Sequence, residues 1–330
     1  MADVIKTATN SDIETLKRKQ RRMSIFLKII TYIFLIFMAF IVVFPFYWMI
    51  ISSLKSFDEY HLKGDFIGRV IPTFFPTEIL WENYFLSLFG TKFENMDAFN
   101  AAVAAGENPY QYLVLGKSML TTLGMGVGST LLSVFITIFA AFAFARLQFK
   151  GRELLFSILL MTMMIPGELF TITNFETVNR LHWTYGTGGY RVYLSYVVPF
   201  LVSVFYIYLL RNNFKQIPDE LYYAAKVDGA SDFKYLFKVM IPLAKSTIIT
   251  LLILSMMGTW NAYVWPNLVI TSEELRLVSD GLLHSFAGDG IELQNLQMAA
   301  SAIVTLPLLI VFIFLRKYIM RGVRRSGIKG

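Results

Sequence analysis

The sequence predicts an all-α, polytopic membrane protein with six transmembrane helices and a helical loop on the cytoplasmic side. Three observations lead there. Six apolar runs reach the length of about 20 residues that a helix needs to cross the hydrocarbon core of a bilayer. The composition is 55% hydrophobic and 16% charged over 330 residues, with a mean hydropathy of +0.55, which is too apolar for an ordinary soluble domain. Lysine and arginine, finally, are divided unevenly between the segments that join the runs.

The runs lie at 26–53, 118–145, 153–177, 191–211, 246–270 and 297–316. An even number of spans returns both termini to the same side. The tail 1–27, the linker 146–152, the loop 211–245 and the tail 316–330 hold 6, 3, 6 and 6 Lys and Arg residues, 21 in all. The opposite set, 54–117, 178–191 and 271–296, holds 5, 2 and 1, or 8 in a longer stretch. Basic residues collect on the cytoplasmic side, so both termini are expected there.

The expected organisation begins with a basic cytoplasmic tail, 1–24, ending in Lys17, Arg18, Lys19, Arg21 and Arg22. The first transmembrane helix follows at 25–54. Its apolar stretch is too long for a cleavable signal core and has no clear small-residue cleavage site, so it reads as retained. Residues 55–117 form an extracytoplasmic cap in which Pro72 and Pro76 interrupt regular structure. Two uses stand for it: a surface for an extracytoplasmic partner, or a lid that only packs on the bundle. A core at 118–316 holds five transmembrane helices and the loop 212–245, and 317–330 is a cytoplasmic C-terminal tail.

The third span carries Met163-Met164-Ile165-Pro166 followed by Gly167 and Glu168, a kink residue beside a carboxylate. At membrane depth such a carboxylate needs a partner or water; a span that starts later would instead leave Glu168 near the outer boundary. Trp260, Asn261, Tyr263 and Trp265 lie late in the fifth span. Aromatic faces bind the apolar faces of sugars while an amide bonds hydroxyls, and aromatics at a boundary also serve as anchors. Trp265 is expected to anchor. Glu168, Asn174, Trp260 and Asn261 are the candidate pathway residues.

The loop 212–245 is the most informative stretch. Pro218 precedes Asp219 and Glu220, which places proline at a helix start and two acids at the positive end of the helix dipole. Ala224 and Ala225 give a small-residue face, and Gly229 supplies the left-handed conformation that ends a helix. Ser231 or Asp232 caps a second helix that spaces Phe233, Leu236, Phe237 and Met240 at i, i+3, i+4 and i+7. This predicts an amphipathic helix on the membrane face. Pro242 then redirects the chain before the fifth span.

Tyr223-Ala224-Ala225, three residues, Gly229, nine residues, Val239-Met240-Ile241-Pro242 resembles the EAA signature of ATP-binding-cassette importer permeases. Asp228-Gly229-Ala230-Ser231, the run AAFAFARLQFKGR from Ala140 to Arg152, Met163 to Gly167, Trp260-Asn261 and Gly327-Ile328-Lys329-Gly330 extend the likeness to carbohydrate permeases of the maltose-transporter type. It runs from about residue 115 to the end and more loosely over the first span; the segment around Ser87 to Leu113 is longer than such permeases need. The resemblance implies a coupling-helix loop that docks on an ATPase through Tyr223, Ala224, Ala225, Asp228, Gly229, Ala230 and Pro242. It also implies a homologous second permease, two ATPase subunits that hold ATP and magnesium, an extracytoplasmic solute-binding protein and a carbohydrate solute, with no cofactor in this chain. Tyr223 stands where the family has glutamate. That puts a salt bridge at this position in doubt and leaves the shape of the docking helix.

Other chemistries find less support. The chain has no cysteine, hence no disulfide framework and no cysteine-ligated zinc. Gly116-Lys117-Ser118 imitates the end of a phosphate loop, but Gln111 stands where its first glycine belongs. Gly124 and Gly128 read as a GxxxG packing face. His61, His182 and His284 are scattered, so no metal site is expected, and no nucleophile constellation marks a catalytic residue. The net charge of +7 sits between apolar spans rather than on a soluble nucleic-acid surface. The alternative from another class is an integral membrane sensor or enzyme with a helical docking loop.

Overall fold

The computed structural model describes residues 10–60, 73–89, 101, 104–105, 114–184, 190–286 and 294–327. His61, the cap around 61–72 and 90–100, and the terminal Ile328-Lys329-Gly330 lie outside the described residues. Every regular element among the described residues is helical. The principal ones are α1 (Asn10–Ser53), α2 (Glu82–Phe89), α3 (Val114–Arg146), α4 (Arg152–Thr162), α5 (Gly167–Arg180), α6 (Tyr190–Val197) and α7 (Val204–Lys215). They continue with α8 (Asp219–Val227), α9 (Asp232–Tyr235), α10 (Lys245–Trp260), α11 (Val264–Val269), α12 (Val278–Phe286) and α13 (Gln294–Gly327).

Three stretches are long and apolar enough to cross a membrane unbroken: Arg18–Ser53, Leu115–Arg146 and Gln294–Arg316. Three bent pairs bring the number to six. Arg152–Thr162 meets Gly167–Arg180 at 92°, Tyr190–Phe200 meets Val204–Lys215 at 56°, and Asp232–Leu243 meets Lys245–Trp260 at 80°. The third and fourth spans are therefore not the continuous helices expected at 153–177 and 191–211. Pro166 lacks the amide hydrogen that would continue α4 into α5. In the fourth span Pro199 sits in a 3-10 turn, and Ser203 restarts the helix by accepting the Tyr206 amide at 3.3 Å. The fifth span divides too: α10 stops at Trp260, and α11 begins after a break at 261–263.

The long helix α3 is central and packs against α7, α10 and α12. At one end a core of Phe142, Leu210, Phe214, Tyr235, Leu236 and Met240 joins α3, α7 and the chain leading into α10. Toward the other, Met125, Val178, Val192, Trp265 and Leu277 form a second core, and Leu115, Trp260, Val278 and Ala300 a third. The close approach of α3 to α10 is at Gly126, where an added Cβ would lie 2.7 Å from Met256 Sδ. Gly124 and Gly128, expected to make that approach, both face open space within this chain. They lie two residues to either side of Gly126, on other faces of the helix.

The first span packs on the last. Along most of its length α1 turns apolar side chains outward, among them Phe34, Ile36 and Val42. An apolar surface on every side suits a helix solvated by lipid. Beyond Ser53 the chain is tied down by polar contacts. The Asn83 amide donates to the Ser53 and Lys55 carbonyls at 2.8 and 3.0 Å, and Ser87 to the Leu296 carbonyl at 2.7 Å. The buried Lys55 ammonium donates to the Thr73 carbonyl and lies 4.8 Å from the centre of the Trp48 ring. Burial lowers its pKa, and the nearby Glu59 carboxylate opposes that shift.

At the opposite end, Arg211 of α7 is 5% exposed. It donates to both Glu153 carboxylate oxygens at 2.7 and 2.8 Å and to the Phe144 carbonyl at 3.0 Å, and it lies over the Phe156 ring at 3.8 Å. One side chain thus fastens α3, α4 and α7. Replacing Arg211 with Ala is expected to lower stability by about 1–2 kcal/mol, a modest figure because the Glu153 carboxylate remains in water. Arg211→Lys should recover little, since an ammonium cannot reproduce the planar fork. Thermal unfolding of the purified protein in detergent, followed by intrinsic fluorescence, measures both.

Candidate functional site

The loop between α7 and α10 is built as one rigid unit. Pro218 is extended, with ψ 138°, so the chain turns there before α8 begins at Asp219. Asp219 and Glu220 occupy the first turn, where the helix dipole favours negative charge. Asp219 pairs with Arg146, whose side chain is 4% exposed. The same guanidinium donates to the Phe214 carbonyl at 2.8 Å and to the Ile217 carbonyl. Both carbonyls lie where α7 ends, that of Phe214 also accepting the Ile217 N–H at 3.2 Å, so Arg146 fixes the direction in which the chain enters α8.

The far end of α8 closes with a Schellman turn. Gly229 N–H donates to the Lys226 carbonyl at 3.0 Å and Ala230 N–H to the Ala225 carbonyl at 2.8 Å. Gly229 has φ +73°, and a Cβ there would touch nothing within 4 Å. Glycine is needed for its backbone conformation, not for space. Asp228 is the exposed residue at the helix end, and Ala230 is half-buried beyond the turn.

A brace joins α8 to the next element. Ser231 caps α9 by accepting the Lys234 amide at 3.2 Å. Tyr222 hydroxyl donates to Asp232 at 2.8 Å, and Lys226 Nζ reaches the same carboxylate oxygen at 2.8 Å. The Tyr222 ring lies edge-on to Tyr235, with centroids 5.1 Å apart. The hydrogen bond to Asp232 raises the Lys226 pKa above its ordinary value, against a small opposing effect of burial. Burial, reinforced by Asp232, raises that of the Tyr222 phenol.

The outward side of α8 mixes apolar side chains with the exposed carboxylate of Glu220, one turn before Tyr223. Tyr223 is 56% exposed and Val227 88%, with Leu221 and Ala224 also exposed, whereas Ala225 is half-buried against the core below. Tyr223 thus turns its ring, not a carboxylate, to the outside. In the second element Leu236 and Met240 are fully buried while Phe233 and Phe237 are exposed, so the four do not share the one face expected of them. A π-helical turn at 236–240 replaces the regular helix and shifts the spacing. Phe233 and Phe237 instead flank Phe139 of α3 at 6.0 and 6.2 Å between ring centroids. Pro242 lies in the short helical turn Ile241–Leu243, ahead of the 80° bend.

The expected pathway residues occupy two places. Glu168 is exposed in the first turn of α5 and Asn174 is half-buried further along that helix. Trp260 is 3% exposed and donates its indole N–H to the Val304 carbonyl of α13 at 3.2 Å. Asn261, at the end of α10, donates back to the Met257 carbonyl at 2.9 Å. Trp265, expected as a boundary anchor, is instead buried, with its ring edge-on to Phe200 at 5.2 Å. Arg146, Arg211 and the Tyr222–Asp232–Lys226 brace were not anticipated. The arginines count toward the charge asymmetry, and nothing in their local sequence marks them as buried.

Residues 133–325 match the family described as "Binding-protein-dependent transport system inner membrane component". The chain belongs to that family. The match includes the whole braced loop of the permease. Similar proteins include a probable ABC transporter permease protein of Mycoplasma pneumoniae, 30% identical over 307 residues, covering 90% of this chain and 87% of that one. The arabinooligosaccharides transport system permease protein AraQ of Bacillus subtilis is 29% identical over 226 residues, 67% of this chain and 78% of the relative. In fold, the permease is similar to a chain of a bacterial ABC transporter involved in the import of alginate. The TM-score is 0.73 at 21% identity, covering 90% of this chain and 98% of that one.

Replacing Asp232 with Ala removes the shared acceptor of Tyr222 and Lys226. The site is half-exposed, so the expected loss of global stability is small, about 0.5 kcal/mol. The expected local effect is larger: amide hydrogen exchange in 219–230 should quicken relative to α7, as read by mass spectrometry.

Proposed function

We propose that the chain is a membrane-spanning permease subunit of an ATP-driven carbohydrate importer and that α8 is its coupling helix. The observation that carries this reading is the outward face of α8, held rigidly by Arg146, the Schellman turn and the Asp232 brace within the family-matched region. A rigid helix with an exposed face can transmit a push from a docked partner to the spans beneath it. Names of relatives support the solute class: AraQ is a permease for arabinooligosaccharides, and the structural neighbour belongs to an alginate importer.

In this reading Tyr223, Ala224, Ala225, Asp228, Gly229, Ala230 and Pro242 form or support the docking unit. Two ATPase subunits hold ATP and magnesium and receive α8, and a homologous second permease completes the pathway. An extracytoplasmic solute-binding protein delivers the sugar; a related alginate importer has been crystallised with such a protein bound to a pentasaccharide. The segment 55–117 lies on the outer side, both termini face the cytoplasm, and the protein resides in the bacterial plasma membrane. The asymmetry of 21 against 8 basic residues supports this orientation. Closure of the ATPases moves the spans between inward- and outward-open states, and this chain contributes no ATP chemistry. Glu168, Asn174 and Asn261 are assigned to the solute pathway, while Trp260, expected there from sequence, is buried against α13 and supports the pathway from behind.

Gly229 tests the assignment. A β-branched residue cannot adopt φ +73° without strain of about 1–2 kcal/mol, so Gly229→Val should distort the turn that orients α8. In proteoliposomes containing the whole transporter, solute moved per ATP hydrolysed should fall by about fivefold or more. Gly229→Asn, which tolerates this conformation, should retain most of the coupling. A normal coupling ratio in the valine variant, or failure of the chain to co-purify with an ATPase, would count against the docking role.

A further inference from the structure

The stretch from Thr73 to Phe85, tethered to the C-terminal end of α1, turns the large apolar side chains of Phe74, Phe75, Ile79, Trp81 and Phe85 outward. Phe75 is 73% exposed and Trp81 67%. Their level follows from α1, because the chain carries no charge between Lys28 and Lys55. A hydrocarbon core about 30 Å thick takes up roughly 20 helical residues, so a core counted from Ile29 ends near Trp48. The Tyr47 hydroxyl donates to the Phe74 carbonyl, and the Phe74 ring lies edge-on to Trp48 with centroids 6.1 Å apart. Phe74 and its neighbour Phe75 are therefore level with the edge of the core, not beyond the end of α1.

Polar groups of the same stretch are turned inward. Glu59 accepts the Thr73 hydroxyl at 2.6 Å, and the amide and hydroxyl of Thr77 at 3.0 and 2.8 Å. The Lys55 ammonium takes the Thr73 carbonyl, and the Leu54 carbonyl takes the Leu80 N–H at 2.9 Å. Backbone that lies against lipid has no water to bond, so the protein itself must satisfy it. Thr73, Phe74, Thr77 and Leu80 meet that condition at these groups. The aromatic surface also continues the lipid-facing side of α1: rings of Phe40, Phe44 and Trp48 follow one another at 5.4 and 6.1 Å, and Phe74 comes next in the row. Phe40, at its start, is exposed in the middle of the span. Glu78 and Glu82 are exposed in the same stretch, which suits a headgroup boundary and not the hydrocarbon interior.

We propose that residues 73–85 are an interfacial membrane anchor whose partner is lipid. Phe74 and Phe75 rest at the edge of the acyl chains. Ile79 and Trp81, held at the level of Leu54, lie among the headgroups. The inference requires that α1 cross the membrane and is independent of which solute the transporter carries.

The absence of cysteine from the chain allows a single nitroxide label at any chosen position. Phe75→Cys and Trp81→Cys are labelled in the complete transporter, assembled with cysteine-free partner subunits in phospholipid nanodiscs, and Val42→Cys serves as the lipid-facing reference. Power-saturation EPR then compares collisions with oxygen, which concentrates in acyl chains, and with a water-soluble nickel chelate. At position 75 oxygen collisions should exceed nickel collisions by about threefold or more, approaching the ratio at 42, and position 81 should give a lower ratio with both reagents reaching the label. Addition of the solute-binding protein should leave both labels unchanged. Nickel collisions equal to or above those of oxygen at position 75 would place it in water and overturn the anchor. Exclusion of both reagents from either label, or a fall in both on adding the binding protein, would show a protein partner on this face and overturn it equally.

Discussion

Two buried guanidinium groups hold one end of this bundle together, and they do so reciprocally. Arg146 ends α3 and donates to carbonyls at the end of α7, while Arg211 sits in α7 and donates to a carbonyl in the last turn of α3. Each helix is therefore capped by a cation carried on the other, where the helix dipole is negative. The carboxylates of Asp219 and Glu153 complete the two sites and tie in α8 and α4. Burying such charges is costly, and with Arg146 Nε already lacking an acceptor, loss of the remaining hydrogen bonds through displacement of one helix against another is poorly tolerated.

That constraint explains how a short loop helix is held in one orientation. By itself α8 has only nine residues, too few to be stable in water. Its entry is set by Arg146, its exit by the left-handed Gly229, and its orientation to the following turn by Asp232. With these three fixed, its outward residues need to contribute nothing to stability. Tyr223 and Val227 consequently stand outward, without a packing role inside the chain.

Much of this was legible in the residues. Run lengths gave the spans, and the Pro218, Gly229 and Ser231 signals gave the start of α8, its end and the next cap, because each acts through local backbone geometry. The breaks were read less well. Pro166 was visible as a kink, yet the size of the bend depends on what α5 packs against. Pro199 lies inside the apolar run 191–211, whose hydropathy hides the break that its missing amide imposes on the helix. The two arginine pegs lie beyond reach for another reason. Both depend on side chains more than fifty residues apart in sequence, and a periodic pattern records only which face is apolar. The heptad-like spacing of Phe233 to Met240 failed because a π-helical turn changes the period itself.

The pairing of the first span with the last has a consequence for biogenesis. The carbonyl of Lys55, just after α1, accepts from Asn295 at the start of α13, a separation of 240 residues. A ribosome adding about 5–20 residues per second needs roughly 12–50 s to cover that distance. During this interval α1 is already made while its neighbour within the chain does not yet exist. Its uniformly apolar circumference allows lipid alone to accommodate it for that time, and the tertiary fold closes only when the final helix emerges.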